Sequence, residues 1–447
     1  MPEVLELATA LAGRAGADEQ VEAYVARVRR TSIRVFQGDV ESLSSADSAG
    51  IGVRVVRGAR VGFAWAGSIA EPAALQALED ARDNASYATE DPAAGLAEPD
   101  GIGPAALALW REELAACPSG SKIALALDLE RRVRAGDARI RQVVSSDYSD
   151  TLGESAIATS TGVSASSRRG TCLLHASALA GEGAETRTGS GYSVGRSLED
   201  LDAERAARHA VERATRLLGA RKPTSRRLPV VFDPRVTATL LGIIAGPLSG
   251  DEVAKGRSLF AGRVGEQVAC GEITLVDDPT EIAALGAASF DAEGIACRHN
   301  RLIDHGRLLG YLYDNHAARV AGSRSTASAV RGSYRTTPRV GARAVALEPG
   351  ALGPEAILAE VGCGLFVQSV SGVHSGVNAV SGDFSVGAEG LLIRDGALAE
   401  PVRELTIAST LQRMLQHVVA VGSDLEWLPG SAAGVTLAID DMAMSGI

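Results

Sequence analysis

Aromatic residues are scarce in this chain, where Phe, Trp and Tyr together make up 4% of 447 residues. Hydrophobic residues as a whole reach 46%, so the chain can bury large cores. We expect those cores to consist of Ala, Val, Leu and Ile. The length predicts two or more domains, because single hydrophobic cores stop growing at about 250–300 residues.

Other absences exclude whole classes of protein. No run of about 18 apolar residues occurs, and the N-terminus has no basic segment before its apolar residues, so neither a membrane span nor a signal peptide is expected. The net charge of −11 argues against nucleic acid and anionic membranes as direct partners. The five cysteines are scattered and form no CxxC pair. This pattern favours free thiols in a reducing compartment, and we expect the cytoplasm.

The order of the predicted elements indicates an α+β fold in two domains. We predict an N-terminal mixed α+β domain over residues 1–222 and a C-terminal, mainly antiparallel β domain over residues 223–447. The basic, proline-containing segment GARKPTSRR marks the boundary. The regular βαβ alternation of a doubly wound parallel sheet is missing.

Hydrophobic periodicity places the individual elements. Helical spacing predicts helices over residues 3–28, 72–87, 122–134 and 198–218, with β-hairpins and an antiparallel sheet between them. After the linker, LPVVFD predicts a strand and PRVTATLLGIIAG a helix, with Pro234 at a favourable first position. The segment TIASTLQRMLQHVVAVG predicts one late helix among short strands.

The pentapeptide GYSVG, residues 191–195, matches the G-x-S-x-G elbow of serine hydrolases at Ser193. That chemistry needs a buried strand, a strained turn and then a helix. The preceding GAETRTGS is polar and small, a poor match for a buried strand. We therefore predict an exposed strand end at Ser193.

Histidines are few and far apart, and no two of the seven lie three to five residues apart, as a helical zinc pair requires. The densest group of metal-binding residue types contains Cys297, His299, His305 and His316. A metal site there stays open as an alternative. The pattern favours strand ends and a hairpin whose turn is His305 and Gly306.

Two acidic groups, VDDP and FDAEG, bring together Asp277, Asp278, Asp291 and Glu293. Paired carboxylates can perform acid–base catalysis. They also cap turns, because Asp accepts hydrogen bonds from backbone N–H groups two residues on. We predict that these four residues shape the scaffold, and we assign no catalytic residue.

Segments spread along nearly the whole chain resemble the TldD/PmbA family. They include GIGVRVVRGARVGFAWAG and GARKPTSRRLPVVFDP in the first half. The second half contributes, in order, SLFAGRVGEQVA, LVDDP, FDAEG, NRLIDHGRLLGYLYD and GDFSVGAEGLLIRDGALAEPV. Each piece is modest, but their order and spacing make the set specific.

The resemblance implies one of two subunit types. In that family, the TldD-type subunit is a zinc metallopeptidase with HExxxH on the helix that follows the strand reading LPVVFD here, and a late Cys as a further ligand. The TldE (PmbA)-type subunit lacks these ligands and pairs with TldD. Residues 240–247 of this chain read LLGIIAGP, without His or Glu. Since alkyl groups cannot bind zinc, we expect a TldE-like subunit with no metal or cofactor of its own.

The implied function is non-catalytic. The chain would complete the substrate chamber for a zinc-bearing TldD-type partner that acts on unstructured or small modified peptides. Leu241, Gly242 and Gly246 are expected to face the central cleft. Two alternatives stay open: a homodimeric peptide-binding protein without activity, and an independent hydrolase that uses Ser193 or the Cys297/His299 cluster.

Overall fold

The fold is a two-part α+β architecture, as predicted. The computed structural model describes residues 2–447, apart from the side chains of Pro2 and Ala184. Within that range, no helix is long and apolar enough to cross a membrane. The predicted boundary near residue 222 lies between the last N-terminal helix and the first C-terminal strand, and it stays a prediction.

A six-stranded antiparallel sheet forms the N-terminal part, in the spatial order β3-β2-β1-β4-β5-β6. The strands are β1 (Glu19–Phe36), β2 (Asp39–Arg57), β3 (Arg60–Ala66), β4 (Ile140–Thr159), β5 (Ser164–Ala180) and β6 (Arg187–Gly195). The helices are α1 (Pro2–Ala12), α2 (Glu71–Tyr87), α3 (Glu112–Ala115), α4 (Ser119–Ala135) and α5 (Ala203–Thr215), with 3-10 turns at Gly183–Glu185 and Leu198–Asp200. The predicted helices at 72–87 and 122–134 are confirmed.

The predicted helix over residues 3–28 is wrong in its second half. Helix α1 ends at Ala12, and strand β1 begins at Glu19. Val21, Ala23 and Val25 alternate along one face and are completely buried, which is the period of a strand. The short helix α1 packs over that strand. The apolar spacing of residues 3–28 is compatible with a helix or a strand, and the segment forms one of each.

The C-terminal part is built around a second six-stranded sheet, in the order β16-β15-β14-β7-β20-β17, with an added β16–β20 pairing. Only β7 and β14 run parallel in it. A four-stranded sheet, β10-β9-β8-β13, and the pairs β11-β12 and β18-β19 complete this part. The predicted antiparallel character is therefore confirmed.

The C-terminal elements are mostly short. The strands are β7 (Arg226–Phe232), β8 (Leu275–Asp277), β9 (Asn300–Asp304), β10 (Arg307–Leu308), β11 (Ala329–Val330), β12 (Arg339–Val340), β13 (Val345–Leu347), β14 (Gly364–Ser371), β15 (Asp383–Arg394), β16 (Ala397–Thr410), β17 (Val418–Val421), β18 (Glu426–Trp427), β19 (Ala433–Gly434) and β20 (Leu437–Ser445). The helices are α6 (Pro234–Ala245), α7 (Gly250–Ala254), α8 (Asn315–Val320), α9 (Pro354–Val361), α10 (Val373–Gly376) and α11 (Leu411–Gln416).

The predicted late helix is mostly strand. Only α11 is helical there, between the end of β16 and the start of β17. The side chain of Thr410 accepts a hydrogen bond from the backbone N–H of Arg413 and caps this single turn. Pairing with β15 and β20 on either side overrides the helical spacing of the sequence.

Candidate functional site

Helix α6 occupies the position that the family resemblance marks as the metal-binding helix. It follows β7, as predicted, and Asp233 caps it by accepting a hydrogen bond from the backbone N–H of Arg235. Its inner face packs into the main C-terminal core through Val236, Leu240, Leu241 and Ile244. Its outer face is open at Thr239, Gly242 and Gly246.

The three residues predicted to face the cleft therefore differ in exposure. Leu241 is 2% exposed and lies in the core, so its side chain does not reach an open surface. Gly242 and Gly246 are exposed, and a Cβ atom added at Gly242 would meet no atom within 4 Å. The open part of α6 is therefore an exposed surface that contains two glycines, named here the glycine surface.

A cavity of about 390 Å³ adjoins the first turns of this helix, at the junction of the two parts of the chain. The α6 residues that line it are Arg235, Val236 and Thr239. The other lining residues come from β5, β6, α5 and its C-terminal turn, β14 and β15: Ser177, Thr188, Gly189, Ser190, Arg213, Leu217, Gln368, Ser369, Val370 and Glu389. Thr239 and Gly242 are three residues apart and thus neighbours on one helix face, so the glycine surface lies beside the cavity.

Two arginines hold the walls of this cavity together. Nη2 of Arg213 lies 2.9 and 2.8 Å from the two carboxylate oxygens of Asp233. Arg235 donates from Nη1 to the backbone oxygen of Ser190 at 2.9 Å and stacks over the ring of Tyr192. Burial, followed by the charge of Arg213, lowers the pKa of Arg235.

The same positive charges act on His209 of α5. Burial, followed by Arg213, Arg235, Arg205 and Arg208, lowers the pKa of His209 to about 4. The imidazole is therefore neutral near pH 7.

The donors on α6 do not fit a zinc ion. Residues 240–247 offer no imidazole, carboxylate or thiolate, the groups that bind zinc in proteins. Among all residues that the structure describes, no three His, Cys, Asp or Glu side chains converge as a metal site would require. The last cysteine, Cys363, is exposed and directly precedes β14. Because β14 runs parallel to β7, and α6 follows the end of β7, Cys363 and the start of α6 lie at opposite ends of this strand pair.

Ser193 is no hydrolase elbow. It lies within β6, is completely buried, and its Oγ accepts a hydrogen bond from the backbone N–H of Asp202 at 2.9 Å. The prediction of an exposed strand end was wrong about exposure, because α5 covers this strand. A hydroxyl sealed in this way has no open side for a substrate.

The Cys297 and histidine group is dispersed. Cys297 is buried, and that burial raises the pKa of its thiol to about 12. His299 lies 3.1 Å from Asp278, His305 contacts the backbone oxygen of Gly271, and the third histidine, His316, contacts Asp91. His305 and Gly306 have positive φ angles and turn the chain from β9 into β10, so the hairpin prediction is confirmed.

The four acidic residues build structure, as predicted. Oδ1 of Asp277 accepts hydrogen bonds from the backbone N–H groups of Arg343 and Ala344. Asp278 caps its own turn at Thr280.

The FDAEG pair has two different roles. Asp291 accepts hydrogen bonds from three backbone N–H groups, and burial with the nearby charge of Glu293 raises its pKa to about 7. Glu293 lies 3.3 Å from Arg54, across the junction of the two parts. This contact between the two parts of the chain was not predicted.

Comparison with known proteins agrees with this architecture. Three consecutive domain families match the chain. They are PmbA/TldA metallopeptidase domain 1 over residues 21–85, the central domain over 113–218 and the C-terminal domain over 225–446. This α+β fold and this domain order are those of the PmbA/TldD metallopeptidase-type proteins. The chain belongs to the PmbA/TldD family.

Named relatives include both sequences and a structure. The chain is 26% identical to metalloprotease PmbA of Escherichia coli O157:H7, covering 98% of this chain and 95% of the relative. It is 27% identical to a metalloprotease PmbA homolog of Haemophilus influenzae, covering 99% and 96%. The crystal structure of TldE from Thermococcus kodakarensis superimposes with a TM-score of 0.89 at 24% identity, covering 96% of this chain and 97% of the other.

Proposed function

We propose that the chain is a TldE-like subunit that binds no catalytic metal and completes the substrate chamber of a TldD-type zinc metallopeptidase. One observation carries this proposal. The outer face of α6 is accessible and adjoins a cavity, yet it presents Thr239 and two glycines where a metallopeptidase would present ligands. The bond-cleaving chemistry is therefore assigned to the partner.

The geometry suits an extended peptide that lies in the cavity and along the glycine surface of α6. Strand β6 has a neighbouring strand on one side only, and Thr188 and Gly189 of this strand line the cavity beside Ser190, whose backbone oxygen binds Arg235. A peptide can pair with such an edge through its backbone, which gives affinity with little sequence preference. The proposed substrates are accordingly unstructured or small modified peptides.

A second open edge supports an oligomer. Strand β3 pairs with β2 only over residues 51–57, so residues 39–50 of β2 have β1 as their single neighbour. Residues 39–48, named here the β2 arm, are exposed and include Val40 and Leu43. A long exposed strand edge with apolar side chains is typical of a surface that another chain covers. We propose that the TldD-type partner contacts the β2 arm.

The proposed compartment is the cytoplasm. The supporting observation is that all five cysteines are free thiols in the structure. Free, scattered thiols are typical of reducing compartments.

Co-expression with a TldD-type protein that carries HExxxH tests the proposal. Size-exclusion chromatography with light scattering should show one hetero-oligomer, and only that species should cleave an unstructured peptide. Replacing the glutamate of the partner's HExxxH by Gln should abolish cleavage. Ser193→Ala and Cys297→Ala in this chain should leave it intact.

The same experiment separates the alternatives. Two separate species at micromolar concentration, with this chain as a homodimer that binds peptide, would support a peptide carrier instead. Cleavage by this chain alone that disappears in Ser193→Ala or Cys297→Ala would support an independent hydrolase. Because Ser193 and Cys297 are both buried, we do not expect cleavage by this chain alone.

A further inference from the structure

A second cavity, of about 140 Å³, lies between the N-terminal sheet and the C-terminal segment that contains Asp291. Three arginines line it: Arg169 on β5, Arg331 directly after β11 and Arg343 shortly before β13. They come from distant parts of the sequence and from both parts of the fold. None of them belongs to the cavity beside α6.

The positive charge around this cavity exceeds the negative charge that contacts it. Glu22 lies 2.5 Å from both Arg54 and Arg331, and Glu293 lies 3.3 Å from Arg54. These two glutamates balance Arg54 and Arg331. Two guanidinium groups, those of Arg169 and Arg343, are left without an acidic partner among the residues that the structure describes.

Several N–H groups in the cavity wall lack acceptors. Arg331 has a side chain that is 2% exposed, and neither its Nε nor its Nη1 has a hydrogen-bond partner in the described part of the chain. Nε of Arg343 is likewise buried without a partner. Since a buried donor without an acceptor costs about 1–3 kcal/mol, and more when charged, an oxygen acceptor from an anion or from water would stabilise these groups.

Arg169 faces the cavity from the opposite wall. It is solvent-accessible but lies in a recess, where desolvation and then the charge of Arg343 lower its pKa. The acid that lines the cavity, Asp291, already accepts hydrogen bonds from the backbone N–H groups of Glu293, Ile295 and Ala329. Its carboxylate is thus occupied by backbone donors.

We propose that this cavity binds a small tetrahedral dianion, such as inorganic phosphate, between Arg169, Arg331 and Arg343. Planar guanidinium groups match the oxygens of phosphate, and three converging guanidinium groups outnumber the single carboxylate in the cavity wall, that of Asp291. Ser155 and Ser167 pair across β4 and β5, lie on the same sheet face as Arg169 and line the same cavity, so their hydroxyls can add neutral donors.

The size of the cavity restricts the ligand. Pockets for drug-sized molecules span about 300–1,000 Å³, so about 140 Å³ suits an ion rather than a peptide or nucleotide. The bound dianion would join β5 of the N-terminal part to Arg331 and Arg343 of the C-terminal part. It therefore fastens the two parts together, at a place separate from the proposed peptide cleft.

Calorimetric titration of the full chain with inorganic phosphate at about pH 8, where phosphate is a dianion, tests this proposal. We expect one site per chain and a rise in the thermal unfolding temperature with phosphate concentration. Acetate, a monoanion, should bind at least about tenfold more weakly at the same ionic strength.

The neighbouring residue on β5 provides a matched control. Arg169→Gln should weaken phosphate binding at least about tenfold, because it removes one charged donor. Arg168→Gln removes the same charge from the adjacent side chain, which stacks over Trp110 outside this cavity, and should leave binding unchanged. Equal affinities in the two variants, equal binding of acetate and phosphate, or no binding at millimolar phosphate would each overturn the proposal.

Discussion

Nη2 of Arg213 on helix α5 lies within 2.9 Å of both carboxylate oxygens of Asp233, the residue that caps α6. The contact joins the N-terminal part of the chain to the helix on which the proposed function depends. The backbone oxygen of Arg213 also accepts a hydrogen bond from Nε2 of Gln368 on β14. One arginine thus fixes three elements around the larger cavity.

Arg213→Ala should destabilise the protein strongly. The two side chains are 13% and 5% exposed, so the substitution leaves a buried carboxylate with only the more distant Arg216, 3.9 Å away, at a cost of up to about 3–5 kcal/mol. Urea unfolding measures the loss. Arg394→Ala is the matched control: its pair with Glu400 is exposed, and exposed pairs contribute less than about 1 kcal/mol. Equal losses in the two variants would contradict the assignment.

Gly242→Ala should stabilise the chain by about 0.5–1 kcal/mol, because the helical glycine has open space around its missing Cβ. Gly434→Ala is the contrasting variant. There a Cβ would lie 2.1 Å from the backbone oxygen of Pro234, so thermal unfolding should show destabilisation.

A bulky residue at the same position tests whether the glycine surface contacts peptide. If it does, Gly242→Phe should raise KM of the hetero-oligomer about tenfold, equal to about 1.4 kcal/mol, and Gly242→Ala should keep a KM near the parent value. An unchanged KM in Gly242→Phe would place the peptide elsewhere.

His209 should give the chain a distinct response to acid. Its pKa is about 4 in the folded state and about 6.5 when unfolded, so the unfolded state binds the extra proton between these values. The stabilising contribution is present above about pH 6.5 and is lost as pH falls towards 4. His209→Gln should flatten this part of the urea-unfolding profile, and exposed His374→Gln should follow the parent protein. Parallel profiles for parent and His209→Gln would contradict the prediction.

Leu43→Lys should weaken the hetero-oligomer about tenfold, because charge on an exposed strand edge opposes pairing with another chain. Leu43 is 47% exposed on the β2 arm. Val320→Lys changes a similarly exposed apolar residue on α8 and serves as the control. Dissociation constants from light scattering or calorimetry measure the effect. Equal affinities for the partner in both variants would exclude the arm from the interface.

Local pattern was enough to predict much of this fold. Strand β7 followed by α6, with Pro234 at its first position, and the hairpin turn at His305 and Gly306 depend on residues close in sequence. The predicted helix over 3–28 and the late helix failed where strand pairing with distant residues overrode helical spacing.

The candidate site was less accessible to sequence reasoning. The absent ligands on α6 can be read directly, but which of Leu241 and Gly242 faces outward depends on the helix's rotation against the core. Arg213 and Asp233 are 20 residues apart and meet only through the packing of α5 on the C-terminal part. No local motif marks either cavity-lining arginine cluster, because its members come from separate elements.

The zinc content of this chain, purified alone and then with its TldD-type partner, tests the central claim most directly. Elemental analysis with a peptidase assay should find well under one zinc per chain and no turnover for the isolated protein, with zinc and activity arriving with the partner. One tightly held zinc per chain, together with peptide cleavage in the absence of any second protein, would contradict the account.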